Sequence, residues 1–190
     1  MGVGEKADIE VLIRGYANLP RVASTIGLIR DGSSVIVVDP GMVAERRLIL
    51  DPLRDLGIAP EAVTHVWVSH HHLDHTVNIA LFPNAEIVDS RSARRADEVH
   101  SHQGEGFHLS PNVEVWLTPG HTPEDATLVA DTVRGLVGFT HLWWREDRSP
   151  DVDPYATDPA ALQAGRERVL AAVDLVIPGH GGPFETGRRR

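Results

Sequence analysis

Short apolar runs punctuated by turn residues dominate the chain. Residues 9–15 alternate apolar and polar side chains and predict a strand. Residues 22–30 predict a second, ended by the turn signal Asp31-Gly32-Ser33. Residues 34–38, SVIVV, form a continuous β-branched run. That pattern suits a strand covered on both faces, and Asp39-Pro40-Gly41 stops it. Over residues 43–56, Val43, Leu48, Leu50, Leu53 and Leu56 lie among charges and predict a helix. Pro52 would kink or shorten it, and Gly57 stands where a closing glycine belongs. Residues 63–69 predict a buried strand, after which Asp74 is expected to N-cap a short helix over 75–81.

Residues 87–89 predict a strand, whereas the polar stretch 91–107 gives no periodic signal. Residues 113–117 read as a strand, and 126–131 with 136–140 as a hairpin joined through 132–135. A loop rich in charge and proline spans 143–153. Residues 159–173 predict an amphipathic helix with Leu162, Val169, Leu170 and Val173 on its apolar side, and 175–177 a last strand. Strands come first, then helix and strand mixed, in two similar halves, which predicts an α/β layered fold. Three strands run into a histidine: His70, His121 and His180. Strand ends on one edge of a sheet converge, so their loops can assemble one site.

Composition narrows the picture. A chain of 190 residues fits one domain, 1–190, with a real core. No run is long and apolar enough for a membrane span, and the N-terminus lacks a signal-peptide pattern, so a cytoplasmic location is expected. The formal net charge of −9 opposes phosphate-rich polymers. Arg188, Arg189 and Arg190 read as a solvated tail. Cysteine is absent, so any metal must be held by nitrogen and oxygen.

Histidine is abundant, with 11 in the chain, and four of them fall in Ser69-His70-His71-His72-Leu73-Asp74-His75. Read as H-x-H-x-D-H, this string sets His70 and His72 on one side of an extended backbone, able to share an ion. Asp74 and His75 can face a second ion. His121, in P-G-H-T at 119–122, and His180, in P-G-H-G at 178–181, supply further donors from distant loops. His71 is expected to point away. His65, His100, His102 and His108 read as ordinary histidines.

These motifs resemble the metallo-β-lactamase superfamily, over about residues 24–184. The resemblance implies a four-layer αββα sandwich with metals on one edge between two sheets. It implies His70, His72 and His121 at a first metal and Asp74, His75 and His180 at a second. Asp39, in the D-P-G that ends 35–41, would orient a metal-bound histidine. Phe82-Pro83-Asn84-Ala85 and the runs 113–121 and 168–184 are similar to the small single-domain metallo-β-lactamase domain-containing proteins, some of which are described as RNA-cleaving. One departure stands out. The family's Gly-Asp pair near residue 140, whose carboxylate bridges two ions, is Thr140-His141 here. His141 is expected to ligate the second ion alone, the alternatives being a nearby hydrogen-bonding role or a weak second site.

The resemblance implies hydrolysis by a metal-activated water oriented by Asp74, on a small-molecule ester, thioester or lactone. No G-x-S-x-G string suggests a serine nucleophile. Two zinc ions are the expected cofactor, with iron and manganese left open. A phosphodiesterase or ribonuclease is the alternative; the net charge opposes a nucleic-acid partner, although Arg91, Arg94 and Arg95 soften that objection. A degenerate metal-binding protein is a further alternative. An iron dioxygenase is disfavoured, because those on this fold use the aspartate replaced here, and the chain is short for the added helical domain of a glyoxalase II. A homodimer is left open. Of Trp143 and Trp144, one is expected to wall a pocket and the other to pack in the core. Arg145, Glu146, Asp147 and Arg148 read as a solvated loop.

Overall fold

The computed structural model describes residues 6–187. The Arg188–Arg190 tail and the first five residues of the N-terminal segment lie outside them. In chain order the elements are β1 (Asp8–Ile13), β2 (Tyr16–Asn18), β3 (Arg21–Ala23), β4 (Ile26–Asp31), β5 (Ser34–Val38), α1 (Arg47–Asp55), β6 (His65–Trp67), α2 (Leu73–Thr76), β7 (Glu86–Val88), β8 (Ser92–Arg95), β9 (Glu98–Ser101), β10 (His108–Ser110), β11 (Val113–Leu117), β12 (Ala126–Thr132), β13 (Gly135–Thr140), α3 (Pro159–Ala172), β14 (Leu175–Pro178) and β15 (Phe184–Glu185).

Two mixed sheets result, ordered β1-β4-β5-β6-β7-β8-β9 and β10-β11-β12-β13-β14-β15, with β2 and β3 a separate hairpin. The halves are built alike. The β4–β5 hairpin is followed by α1 and a parallel partner, β6; the β12–β13 hairpin is followed by α3 and a parallel partner, β14.

Strand alternation divides the side chains into layers. On β5, Ile36 and Val38 point between the sheets, where Trp67 and Val88 meet Val115, Leu128, Phe139 and Ile177 of the second sheet. Val37 points the other way and joins Val66 and Val68 against Ile49 and Leu53 of α1. On the far face, Val176 packs with Leu162, Val169 and Val173 of the α3 region. Helix, sheet, sheet and helix therefore stack as the expected αββα sandwich, each buried Val, Leu or Ile contributing roughly 1.5–3 kcal/mol. No helix among the described residues is long and apolar enough to cross a membrane.

The structure differs from the sequence reading at four places. The strand over 22–30 is broken at Ser24-Thr25, because both residues are bound to distant backbone: Ser24 Oγ donates to Asp39 O (2.9 Å) and Thr25 N to Gly179 O (2.7 Å). Helix α1 begins at Arg47 rather than Val43, and Pro52 lies inside it. Asp74 is not an N-cap. His72 takes that position, Asp74 lies in the first turn of α2, and a separate 3-10 turn, Ile79–Leu81, follows. Asn78 forces the break by donating from Nδ2 to Gly41 O (2.7 Å) and from its backbone to Pro40 O (2.9 Å). Within 91–107 the chain forms the β8–β9 hairpin, whose outer strand is exposed along its length.

Candidate metal centre

Strands β5, β6 and β7 run in one direction, and β11, β13 and β14 share a direction in the second sheet. The loops after these strands carry Asp39, His70 to His75, His121, His141 and His180. Strand order alone suggests one sheet edge, whereas the family resemblance implies a site between two sheets. In the structure β6 belongs to the first sheet and β11 and β14 to the second, so the histidines gather across the gap between sheets.

Ligand atoms of His70, His72 and His121 lie within 4.8 Å of one another, as do those of Asp74, His75 and His180. His72 Nδ1 stands 3.2 Å from both His70 Nε2 and His121 Nε2. Asp74 Oδ2 is 3.5 Å from His180 Nε2 and 3.8 Å from His75 Nε2. His141 lies in the middle. Its Nε2 is 3.1 Å from His180 Nε2, and its ring is within 5.1 Å, centroid to centroid, of those of His70, His75, His121 and His180. Two further donor groups include it: one with His70 and His75, one with His121 and Asp153. All seven anticipated residues are thus brought together.

This donor set fits a divalent cation. Nitrogens about 2.0–2.1 Å from one tetrahedral zinc stand about 3.3 Å apart, close to the spacings here. His75 Nε2 and His141 Nδ1 are buried without a hydrogen-bond partner, a costly state that a cation would relieve.

The other ring nitrogens are held from outside. His75 Nδ1–H donates to Asp39 Oδ2 (2.9 Å), His121 Nδ1–H to Asp153 Oδ2 (2.7 Å) and His180 Nδ1–H to Ala23 O (3.0 Å). His70 Nδ1 is 3.0 Å from Ser69 Oγ, which donates to Asp39 Oδ2 (2.7 Å). With Nδ1 engaged, each of these four rings turns an Nε2 lone pair inward. His72 is the exception and presents Nδ1.

Electrostatics favours the neutral form of His70, His72, His141 and His180. Burial, reinforced by neighbouring histidines, pushes the pKa of His70 and His141 well below the usual value; burial also lowers His72, and brings His180 to about 4. Burial acts on His75 in the same sense, but the Asp39 carboxylate outweighs it and the net shift is upward. Burial raises Asp125, 3.7 Å from His70 Nδ1, to about 6. Two glycines make room for the cluster. A Cβ on Gly41 would lie 1.6 Å from Asp74 O, and one on Gly179 would lie 2.3 Å from His141 Cδ2.

The remaining histidines stand apart. His71 Nε2 lies 3.1 Å from Asp89 Oδ2, His65 and Glu86 face each other, as do His100 and Glu98, and His108 and Glu114, and His102 stacks on Phe107. Trp143 packs in the core, whereas Trp144 stacks on Tyr155 and walls a cavity of about 600 Å³. His72, Asp74, His121, His141 and His180 border that cavity. Glu146 pairs with Arg14, Arg145 with Asp147, and Arg148 with the Glu185 and Thr186 carbonyls, as a surface loop would. The sequence reading missed Asp153 and Asp125. Asp125 had a faint signal, four residues beyond His121; Asp153 had none.

The family model of the metallo-beta-lactamase superfamily matches residues 19–182. Metallo-beta-lactamase domain-containing protein 1 of Xenopus laevis is 34% identical over 193 residues, covering 95% of this chain and 82% of that protein. The human protein of the same name is 36% identical over 160 residues, covering 80% of this chain; the match spans 60% of the human protein's length. A candidate metallo-beta-lactamase from Thermotoga maritima, of known structure, shares the fold with a TM-score of 0.75 at 21% identity, over 95% of this chain and all of that one.

Proposed function

The chain belongs to the metallo-beta-lactamase superfamily, and we propose that it is a metal-dependent hydrolase of a small-molecule ester, thioester or lactone. One observation carries this reading: histidine and aspartate donors from two sheets converge beside an open cavity, with His75 Nε2 and His141 Nδ1 buried and lacking a hydrogen-bond partner.

In this reading His70, His72 and His121 hold one divalent ion, and Asp74, His75 and His180, joined by His141, hold another. The proposed occupancy is two zinc ions; nitrogen and oxygen donors also suit iron and manganese. A bound ion supplies an acidified water and an electrophile for the substrate oxygen. Asp74 lies at the cavity wall with its side chain 22% exposed, placed to orient that water and accept its proton. Asp39, Ser69 and Asp153 keep the rings in the inward-donating tautomer. His141 replaces a carboxylate by an uncharged donor, so Asp74 is the one anionic residue among the seven.

Metal analysis of the purified chain tests the assignment, combined with a screen of lactones, thioesters and bis(4-nitrophenyl) phosphate. Two zinc ions per chain are expected, with turnover abolished in His72→Ala and Asp74→Ala. Full activity in either variant overturns the mechanism.

A further inference from the structure

We propose that the cavity over the histidine cluster selects an uncharged substrate bearing an extended apolar group, with the stacked Trp144–Tyr155 pair as one wall and Leu19 of the β2–β3 hairpin as another. The inference rests on the hydrolase reading and names the substrate class within it. Water adds across the acyl C–O bond, giving an acid and an alcohol, or one hydroxy acid from a lactone.

Beyond the cluster residues, every side chain lining the cavity is apolar or aromatic, and no lysine or arginine is among them. The cations on nearby segments are engaged elsewhere: Arg14 with Glu146, Arg21 over the Tyr16 ring, Arg46 with Asn78. A phosphodiester would enter without the basic side chains that normally replace its water.

The rim is equally apolar. Leu19 is 85% exposed, Leu73 72%, Tyr155 62% and Met42 40%, all around one opening. Single exposed hydrophobics are ordinary, but a group of four at the mouth of a cavity marks a surface that a ligand covers. Trp144 is held in place. Its ring lies 5.8 Å from that of Tyr155 with 10° between the planes, and its Nε1–H donates to Asp153 Oδ2 (3.1 Å). The same oxygen accepts His121 Nδ1–H, so the wall and a cluster histidine share one anchor. An apolar group laid along Trp144 therefore has its reacting end beside the cluster, whose His121, His141 and His180 rings are 6.2–6.5 Å from the indole.

The zinc-loaded full chain is assayed with 4-nitrophenyl esters from acetate to decanoate, and the metal-free chain is titrated with 1-hexanol and 1-decanol while tryptophan fluorescence is followed. We expect kcat/KM to rise about two- to fourfold per methylene until the cavity is filled, and decanol to bind more tightly than hexanol. Leu19→Ser, a change at an exposed position, should lower the decanoate-to-acetate ratio about threefold or more. A flat ester series, a preference for bis(4-nitrophenyl) phosphate, or equal binding of the two alcohols overturns the proposal. Tighter decanol binding with no metal-dependent turnover of any ester would instead overturn the hydrolase reading and support the pocket assignment.

Discussion

Asp39→Asn changes one atom and should act on two histidines at once. Asp39 Oδ1 accepts Ser69 N–H at 2.8 Å; Oδ2 accepts Ser69 Oγ–H at 2.7 Å and His75 Nδ1–H at 2.9 Å. Asparagine has the same shape and also tolerates the left-handed backbone here, where φ is 47°. With its oxygen kept toward Ser69 N–H, its NH2 meets two donors. His75 escapes by moving its ring proton to Nε2, which removes the lone pair offered to a metal. Ser69 escapes by turning its hydroxyl proton toward His70 Nδ1, 3.0 Å away, with the same effect on that ring. Losing such a support costs about 10- to 100-fold in metal affinity, or roughly 1.4–2.8 kcal/mol. Zinc competition against a chromophoric chelator at pH 7 reads this directly. Unchanged zinc affinity would refute the tautomer argument.

Gly41→Ala must displace Asp74, since the new methyl would meet the Asp74 carbonyl oxygen; we expect a loss of about 1–3 kcal/mol in urea unfolding, and less than two zinc bound per chain. Arg166 donates at 2.8 Å to the carbonyls of Leu142, Pro150 and Asp151, stapling the loop that carries Trp144. Arg166→Lys cannot reach all three and should cost about 2–4 kcal/mol, visible as a lower Tm; an unchanged Tm would show that the loop does not depend on the staple. Burial raises the Asp89 pKa, but hydrogen bonds from His71, Arg91 N–H, Arg94 and Ser92 outweigh it, so the folded value lies below the unfolded one of about 3.9. Its stabilisation is complete above pH ~4 and is lost as pH falls through the folded pKa. Asp89→Asn should therefore be destabilised at pH 7, and the gap from the parent should narrow below pH ~4 in unfolding titrations; a gap independent of pH contradicts the assignment.

Elements whose burial follows a local period were legible in the sequence. The run 34–38 was expected as a strand and is one, because its β-branched residues alternate between two cores. The α3 helix was legible from Leu162, Val169, Leu170 and Val173, which pack with Val176 of β14; the Asp158 cap, accepting from Ala160 N and Ala161 N, is seen only in the structure. The cluster itself was legible because its residues recur in short strings at strand ends. Features set by distant partners were not. Ser24 and Thr25 break a strand only because Asp39, Gly179 and Gly181 reach them. The β8–β9 hairpin buries almost nothing of its outer strand, so no apolar alternation announces it. Asp153 holds His121 from 32 residues away, a pairing that no local pattern encodes.

The αββα halves meet at the histidines: His70, His72, Asp74 and His75 belong to one, His121, His141 and His180 to the other. A cation shared between them would act as a rivet across the seam. Free metal at 100 times its dissociation constant would add about 2.7 kcal/mol to the folded state. The melting temperature then becomes a gauge of metal supply, and a chelator works as a denaturant aimed at the joint between the sheets.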